Sequence, residues 1–458
     1  MTNATGKRPT TFAIVGGGPA GLVAARAFLR RGIEVEILER HSALGGIWNM
    51  EQPGSPMYRS CNFISSRDYG GFIGYPMPRS YPLYPRWDQI RDYVQSFARA
   101  YGLDHRARLG AEVVRAEPMG SPDEPVWRVE LGSGDSRDYR GVVVASGAQW
   151  QGFVPDIPGL ETFTGRAIHS SEYSETSEFS GKRVLVVGAG NSGVDIVVDA
   201  AFHGSTAYLS TRRGYWFLPK LMFGAAVPDV IAGHIDFGTG SRLHGLDAAG
   251  RAQAVFEAVG DLTAYGLPAP DHPFGASHPI LNNQVLHCLA HGLLEHRPDV
   301  RSIDGPTVRF DDDSSVDVDV IVFATGYKAV VPWLPAGVLD YREGHPQAVL
   351  GTLVPNQRGL YLAGALHFAE HTFSIFDRLV QVAAADAESE LTGNDREAMA
   401  RMREEFRPDL SGGFPFLRTA RNANQIHIPA LEAAFQELAG YGVEVPRYLD
   451  ASFYSNVG

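Results

Sequence analysis

Two glycine-rich hexapeptides carry the clearest chemistry in this 458-residue sequence. They are Gly16-Gly17-Gly18-Pro19-Ala20-Gly21 and, 172 residues later, Gly188-Ala189-Gly190-Asn191-Ser192-Gly193. Each follows a short run of β-branched residues and precedes a run rich in Ala, Val and Leu, the order expected of strand, turn and helix. In such a unit the first glycine (Gly16, Gly188) makes the tight turn. The second (Gly18, Gly190) lets backbone N–H groups approach a pyrophosphate, and the third (Gly21, Gly193) lets helix and strand pack closely. The helix N-terminus adds a partial positive charge. Both hexapeptides, Pro19 and Ala20, Asn191 and Ser192 included, are therefore candidate dinucleotide cradles.

The residues 23 positions after each first glycine differ in kind. Counting from Gly16 reaches Glu39, followed by Arg40, and counting from Gly188 reaches Thr211, followed by Arg212 and Arg213. A carboxylate at the end of the second strand suits a free ribose 2′-hydroxyl, as in FAD or NAD. A hydroxyl with two guanidinium groups suits a 2′-phosphate, as in NADP. The sequence thus asks for two different dinucleotides.

Composition excludes several classes. The chain has 52 acidic against 40 basic residues, a net charge of -12, which argues against a nucleic-acid partner. No run approaches the roughly 18 apolar residues of a membrane span. The first ten residues are polar, which argues against a secretory signal. The two cysteines, Cys61 and Cys288, have neither zinc spacing nor the spacing of a dithiol redox pair, and no metal site is expected. A cytoplasmic setting follows, and a homodimer is left open.

Elements to position these residues read off the chain. Thr11 to Val15 forms the first buried strand, a helix follows to about Arg31, and Glu34 to Leu38 forms the second strand. Leu44-Gly45-Gly46-Ile47-Trp48 suggests close backbone approach at Gly46. Trp48 is by residue type a core aromatic, and beside that glycine pair it is also a candidate cofactor contact. A Tyr- and Pro-rich ordered loop over 57–84 contains Asn62 and Arg67. Strands are expected over Arg108 to Glu117, which includes the candidate contact Val113, over Val126 to Leu131 and over Val142 to Gly147. Val316 to Phe323 leads into Thr325 and Gly326. A helix over Ile375 to Glu388 carries Gln381. Phe163 to Tyr173 reads as a linker between the two nucleotide units, and no functional signal is found in the last fifty residues.

Taken together these motifs resemble the class B flavin-dependent monooxygenases, and specifically the flavin-containing monooxygenase family. Phe163, Gly165, His169 and Tyr173 fit that family's FxGxxxHxxxY fingerprint. Leu209 to Gly214 resembles its NADP-binding segment, and Phe323-Ala324-Thr325-Gly326-Tyr327 its later FATGY segment. The resemblance runs from about Phe12 to Ala385. It implies an α/β fold of two Rossmann-type dinucleotide-binding domains. The FAD domain would be discontinuous (residues 1–168 and 323–458, the latter with a helical tail), with an NADPH domain inserted at 169–322.

The resemblance further implies the cofactors FAD and NADPH, and O2 and a small molecule as substrates. NADPH would reduce FAD, and reaction with O2 would give a C4a-(hydro)peroxyflavin that oxygenates an amine nitrogen or a sulfide sulfur. Baeyer–Villiger oxidation of a ketone and uncoupled NADPH oxidation are the alternatives. Asn62 matches the family's active-site asparagine, and Gln381 is a weaker match as a flavin contact. His169 is expected to be a structural or hinge residue rather than a base.

Overall fold

The computed structural model describes residues 9–119, 121, 124–368, 372–447, 450 and 452–454. Two five-stranded, all-parallel sheets organise it. In the first, strand Phe12–Val15 is central. It pairs with Val35–Glu39 on one side and Gly141–Val144 on the other. Ala107–Leu109 extends one edge, and Leu360–Leu362, from far later in the chain, forms the other. The central strands are buried on both faces, which explains why they read as continuous apolar runs without alternation.

The second sheet repeats this plan. Strand Arg183–Val187 is central, between Thr206–Ser210 and Val320–Phe323. Glu295–Arg297 and Arg166–His169 are its edges. In both halves a three-stranded antiparallel meander precedes the returning strand. The first comprises Val113–Pro118, Trp127–Leu131 and Ser136–Tyr139, and the second Val300–Asp304, Thr307–Phe310 and Ser315–Asp317. The duplication visible in the glycine turns therefore extends over each whole unit.

Three sequence expectations change. The single strand expected over Arg108 to Glu117 is two strands in different sheets, broken where Gly110 adopts φ +67°. The run Val316 to Phe323 is likewise divided between the second meander and the second sheet. The segment around His169 is not a free linker: Arg166–His169 pairs along Val320–Phe323, so a domain cut at residue 168 passes through a strand.

Helix Pro19–Arg30 packs against the first sheet and against the long helix Thr372–Thr392. A fully buried ion pair joins the two helices. Arg26 bonds Asp377 with neither side chain exposed, and donates to the Ile73 carbonyl at 3.0 Å. The guanidinium lies over the Tyr454 ring at 3.6 Å and within 4.6 Å of the Phe97 and Tyr101 ring centres. The Tyr454 hydroxyl donates to the same aspartate. Removing one partner of a buried pair leaves a desolvated charge. Arg26→Met is therefore expected to cost about 3–5 kcal/mol, and the double variant Arg26→Met/Asp377→Leu should recover part of it. Equilibrium urea unfolding of the variants checks both.

Candidate functional site

Both glycine turns stand at the carboxyl ends of their central strands, where open parallel sheets bind ligands. Gly16 has φ +115° and Gly188 φ +104°. A Cβ on Gly21 would lie 1.9 Å from the Gly16 carbonyl oxygen, and one on Gly193 2.0 Å from that of Gly188. No side chain fits there. Helix Pro19–Arg30 starts at Gly18, with Pro19 at its first position, and helix Asn191–His203 starts at Gly190. Their first N–H groups lack intrahelical partners and offer donors to an anion.

Around the first turn the expected residues converge. Gly45 N donates to the Gly17 carbonyl at 3.0 Å. A Cβ on Gly46 would lie 2.8 Å from the Gly18 Cα, so the second glycine pair docks directly on the first turn. Trp48 points away into the core and meets Phe63 edge-on at 5.4 Å. It shapes this docking from behind, as its residue type suggests. Glu39 is buried, and its carboxylate accepts from Gly17 N at 2.7 Å and His41 N at 2.9 Å. Those bonds set its orientation at the tip of its strand. Ala111 N donates to the Glu39 carbonyl at 2.8 Å, which brings the start of Val113–Pro118, with buried Val113, close to that tip. Arg40 stacks on Trp150 at 4.1 Å. The indole N–H of Trp150 donates to the Ser146 carbonyl at 2.6 Å. Trp150 was missed in the sequence; its signal was a tryptophan just past the glycine that ends a central strand.

The second turn is more heavily braced. Asn191 Oδ1 accepts from Leu281 N at 2.9 Å, so its side chain anchors the helix start to a distant loop. Ser192 is half-buried beside it. Thr211 is buried and its hydroxyl is paired with His296 Nε2 at 2.8 Å. Arg213 lies 3.9 Å from Asp271. Arg212 is exposed and has no ion pair among the described residues. Of the three residues expected to read a 2′-phosphate, Arg212 is therefore the one that is uncommitted, because its neighbours face protein partners.

Gln381 lies in the helix Thr372–Thr392. It is fully buried, and its Nε2 donates to the Asp377 carbonyl at 2.9 Å and to Tyr454 Oη at 2.7 Å. It joins the Arg26 cluster between the helices. Helical periodicity placed it on a buried face without revealing what that face covers.

Asn62 lies between the two sheets. Its Nδ2 donates to the Tyr84 carbonyl at 3.1 Å, and residues 62 and 86 form a β-bridge. The preceding residues are tied to helix Asn191–His203. Tyr58 donates to Asp195 at 3.1 Å and Ser60 bonds Asp199. Asn282 bonds the other Asp195 oxygen at 2.6 Å, and Lys220 stands 4.0 Å away. Burial is the leading cause that raises the Asp195 carboxyl above its usual range, and it pushes the neighbouring Cys61 thiol up to about 12. Cys61 is thus a protonated, inert thiol.

His169 is buried with both ring nitrogens occupied. Nε2 donates to the Gly326 carbonyl at 2.9 Å, while Nδ1 accepts from Ser171 N at 3.2 Å. These partners define the neutral Nε2–H tautomer. Thr325 bonds the Phe153 carbonyl, and Phe153 N returns to Gly326 at 2.8 Å. The other fingerprint residues pack as well. A Cβ on Gly165 would lie 2.4 Å from the Asp319 carbonyl oxygen, and Tyr173 stacks on Phe179 at 4.8 Å and donates to Asp199. The fingerprint is a joint, and it leaves no base free.

Burial, the largest influence, lowers the His169 pKa below 6.5. A depressed histidine stabilises the fold fully above its unfolded pKa, and that stability is lost as pH falls through the folded value. His169→Ala should cost about 1–3 kcal/mol. The gap to the wild type should be wider at pH 8 than at pH 5, as urea unfolding at the two pH values would measure.

Comparison with known proteins agrees with this geometry. Residues 9–350 match the family described as FMO-like, flavin-binding monooxygenase-like. The indole-3-pyruvate monooxygenase YUCCA1 of Oryza sativa subsp. japonica is 32% identical over 361 residues, covering 77% of this chain and 85% of its own. Flavin-containing monooxygenase 5 of Rattus norvegicus is 30% identical over 344 residues, covering 71% of this chain. The match spans 63% of the rat protein, less than two thirds of its length. Among solved structures, OTEMO complexed with FAD and NADP matches with TM-score 0.68 at 19% identity, over 95% of this chain and 98% of its own, and shares the fold.

Proposed function

The chain belongs to the flavin-binding monooxygenase-like family, and from that premise we propose that it is an NADPH- and O2-dependent monooxygenase that adds one oxygen atom to an amine nitrogen or sulfide sulfur of a small molecule. In this reading FAD occupies the first glycine turn and NADPH the second. The FAD half is discontinuous, and the inserted NADPH half is bounded by strands Arg166–His169 and Val320–Phe323. Two unpaired, buried cysteines and the absence of any helix, among the described residues, long and apolar enough to cross a membrane are compatible with a cytoplasmic enzyme.

The residues fit this assignment. Each helix start lies close against its turn because Gly21 and Gly193 carry no Cβ. Glu39 is pre-oriented for a ribose hydroxyl and Arg212 is free for a 2′-phosphate. Bound flavin supplies hydride acceptance and oxygen activation, chemistry that side chains lack. What this chain adds is placement. The Asn62 amide is held by the Tyr84 carbonyl at the junction of the two halves, where it can orient the reacting groups.

One observation carries the substrate class. His169, the histidine of the family fingerprint, has both nitrogens committed to protein partners. A soft nucleophile brings its own lone pair and needs no base. A second reading, attack on a carbonyl carbon, draws on the rice relative named for indole-3-pyruvate, a 2-oxo acid, and includes Baeyer–Villiger oxidation of a ketone. Turnover on a panel of amines, sulfides, 2-oxo acids and ketones, with product mass and peroxide both measured, separates them. A one-oxygen gain on nitrogen or sulfur is expected. An ester or chain-shortened acid supports the second reading, and peroxide alone would mark an NADPH oxidase.

Two substitutions probe the site. Arg212→Glu should weaken NADPH by about 10- to 100-fold, the loss of a charge-assisted phosphate contact, while NADH is affected far less. Asn62→Leu should raise peroxide per NADPH consumed with little change in NADPH affinity, as seen by coupled oxygen and product assays.

A further inference from the structure

The C-terminal region carries an unexplained cation. Arg421 sits in the short 3-10 turn Ala420–Asn422. Its guanidinium has no hydrogen-bond or ion-pair partner among the described residues, and the residue is exposed. A Cβ built on Gly190 would meet Arg421 Nη1 at 3.3 Å and Nη2 at 3.5 Å. The guanidinium therefore lies directly over the second glycine of the second turn. That is also the start of helix Asn191–His203, whose dipole repels a cation. The crowded surroundings of Arg421 are the main influence against its charge; Tyr215 favours that charge and Arg212 disfavours it.

The segment that delivers Arg421 is strapped to both halves of the molecule. Leu417 N donates to the Ala276 carbonyl at 2.8 Å, on the insertion that follows strand Thr206–Ser210. On the other side, His367 N donates to the Asn424 carbonyl at 3.1 Å and Ile426 N to the His367 carbonyl at 3.0 Å, just past strand Leu360–Leu362. His345 Nε2 bonds the Ala420 carbonyl. Four positive features thus converge, with no carboxylate paired to either arginine among the described residues: the helix start, the turn N–H groups, Arg212 and Arg421. Two histidines border the cleft, His278 and His367, and burial is the main cause that lowers each to about 4. They are neutral near pH 7, so the excess charge resides on the arginines.

We propose that Arg421 closes over the second glycine turn and binds the pyrophosphate of the nicotinamide dinucleotide, clamping it from the side opposite the helix start. Arg212 then reads the 2′-phosphate and Arg421 the pyrophosphate that NADP and NAD share. This rests on the assignment of the second turn to NADPH.

The two roles predict different selectivities, which isothermal titration of the flavin-loaded protein with NADP+ and with NAD+ separates. Arg421→Gln should raise the Kd of both dinucleotides by a similar factor, about 10- to 100-fold. Arg421→Lys should recover part of the loss, because it keeps the charge but not the planar fork. Thermal melts of the variants without dinucleotide should match the wild type, since no protein partner is lost. An unchanged Kd for both ligands in Arg421→Gln overturns the proposal while leaving the site assignment standing. A loss confined to NADP+ also overturns it, by moving Arg421 to the 2′-phosphate. A shift only in the KM of the oxygenated substrate would overturn it in favour of an anionic substrate group. Failure of the wild-type protein to bind either dinucleotide would instead sink the underlying assignment.

Discussion

The arrangement rests on one contact made twice: a helix backbone laid against the carbonyl of the turn that precedes it. At Gly21 and at Gly193 the space for a Cβ ends about 2 Å from the carbonyl oxygen of Gly16 or Gly188. This closeness brings each helix start to the carboxyl end of its strand, where unpaired N–H groups and the helix dipole act together. The same hydrogen bonds recur in both halves: Gly16 N reaches Leu38 and Gly188 N reaches Ser210, each at 2.9 Å. Everything that distinguishes the two sites is built around this shared core by residues at strand tips and in loops.

The two sheets are interleaved along the chain. The outer strand of the second sheet, Arg166–His169, comes before that unit in sequence, while the outer strand of the first, Leu360–Leu362, comes after it. Side-chain ties reinforce the interleaving. Tyr58 and Ser60 reach Asp195 and Asp199, and His169 reaches Gly326. Asn62 follows directly on the first of these ties. Its position relative to both turns is therefore set by contacts across the junction rather than by its own loop.

Sequence spacing was most reliable where backbone geometry demands one residue type. Gly16 and Gly188 adopt positive φ, and a Cβ on Gly21 or Gly193 would strike a carbonyl oxygen. It was less informative for side chains whose role depends on a partner. Thr211, Arg212 and Arg213 read alike in the sequence, yet His296 and Asp271 engage the outer two and leave Arg212 free. For Gln381 the spacing gave a buried helical face, and the bonds to Asp377 and Tyr454 came only from the fold.

The sequence by itself determined that this chain holds two dinucleotide turns of different charge, that it belongs with flavin-dependent oxygenases, and that His169 is a poor candidate for a base. These are local statements, and local spacing carries them because turn geometry and strand-end chemistry act within about 25 residues. Only the tertiary structure decided that Arg166–His169 is a sheet edge, that Trp150 stacks with Arg40, and that Arg421 stands over Gly190. Residues 190 and 421 lie on opposite sides of a long stretch of chain, and no periodicity links them. Their meeting depends on a strap hydrogen-bonded to Ala276 on one side and His367 on the other, contacts that exist only once both sheets have formed.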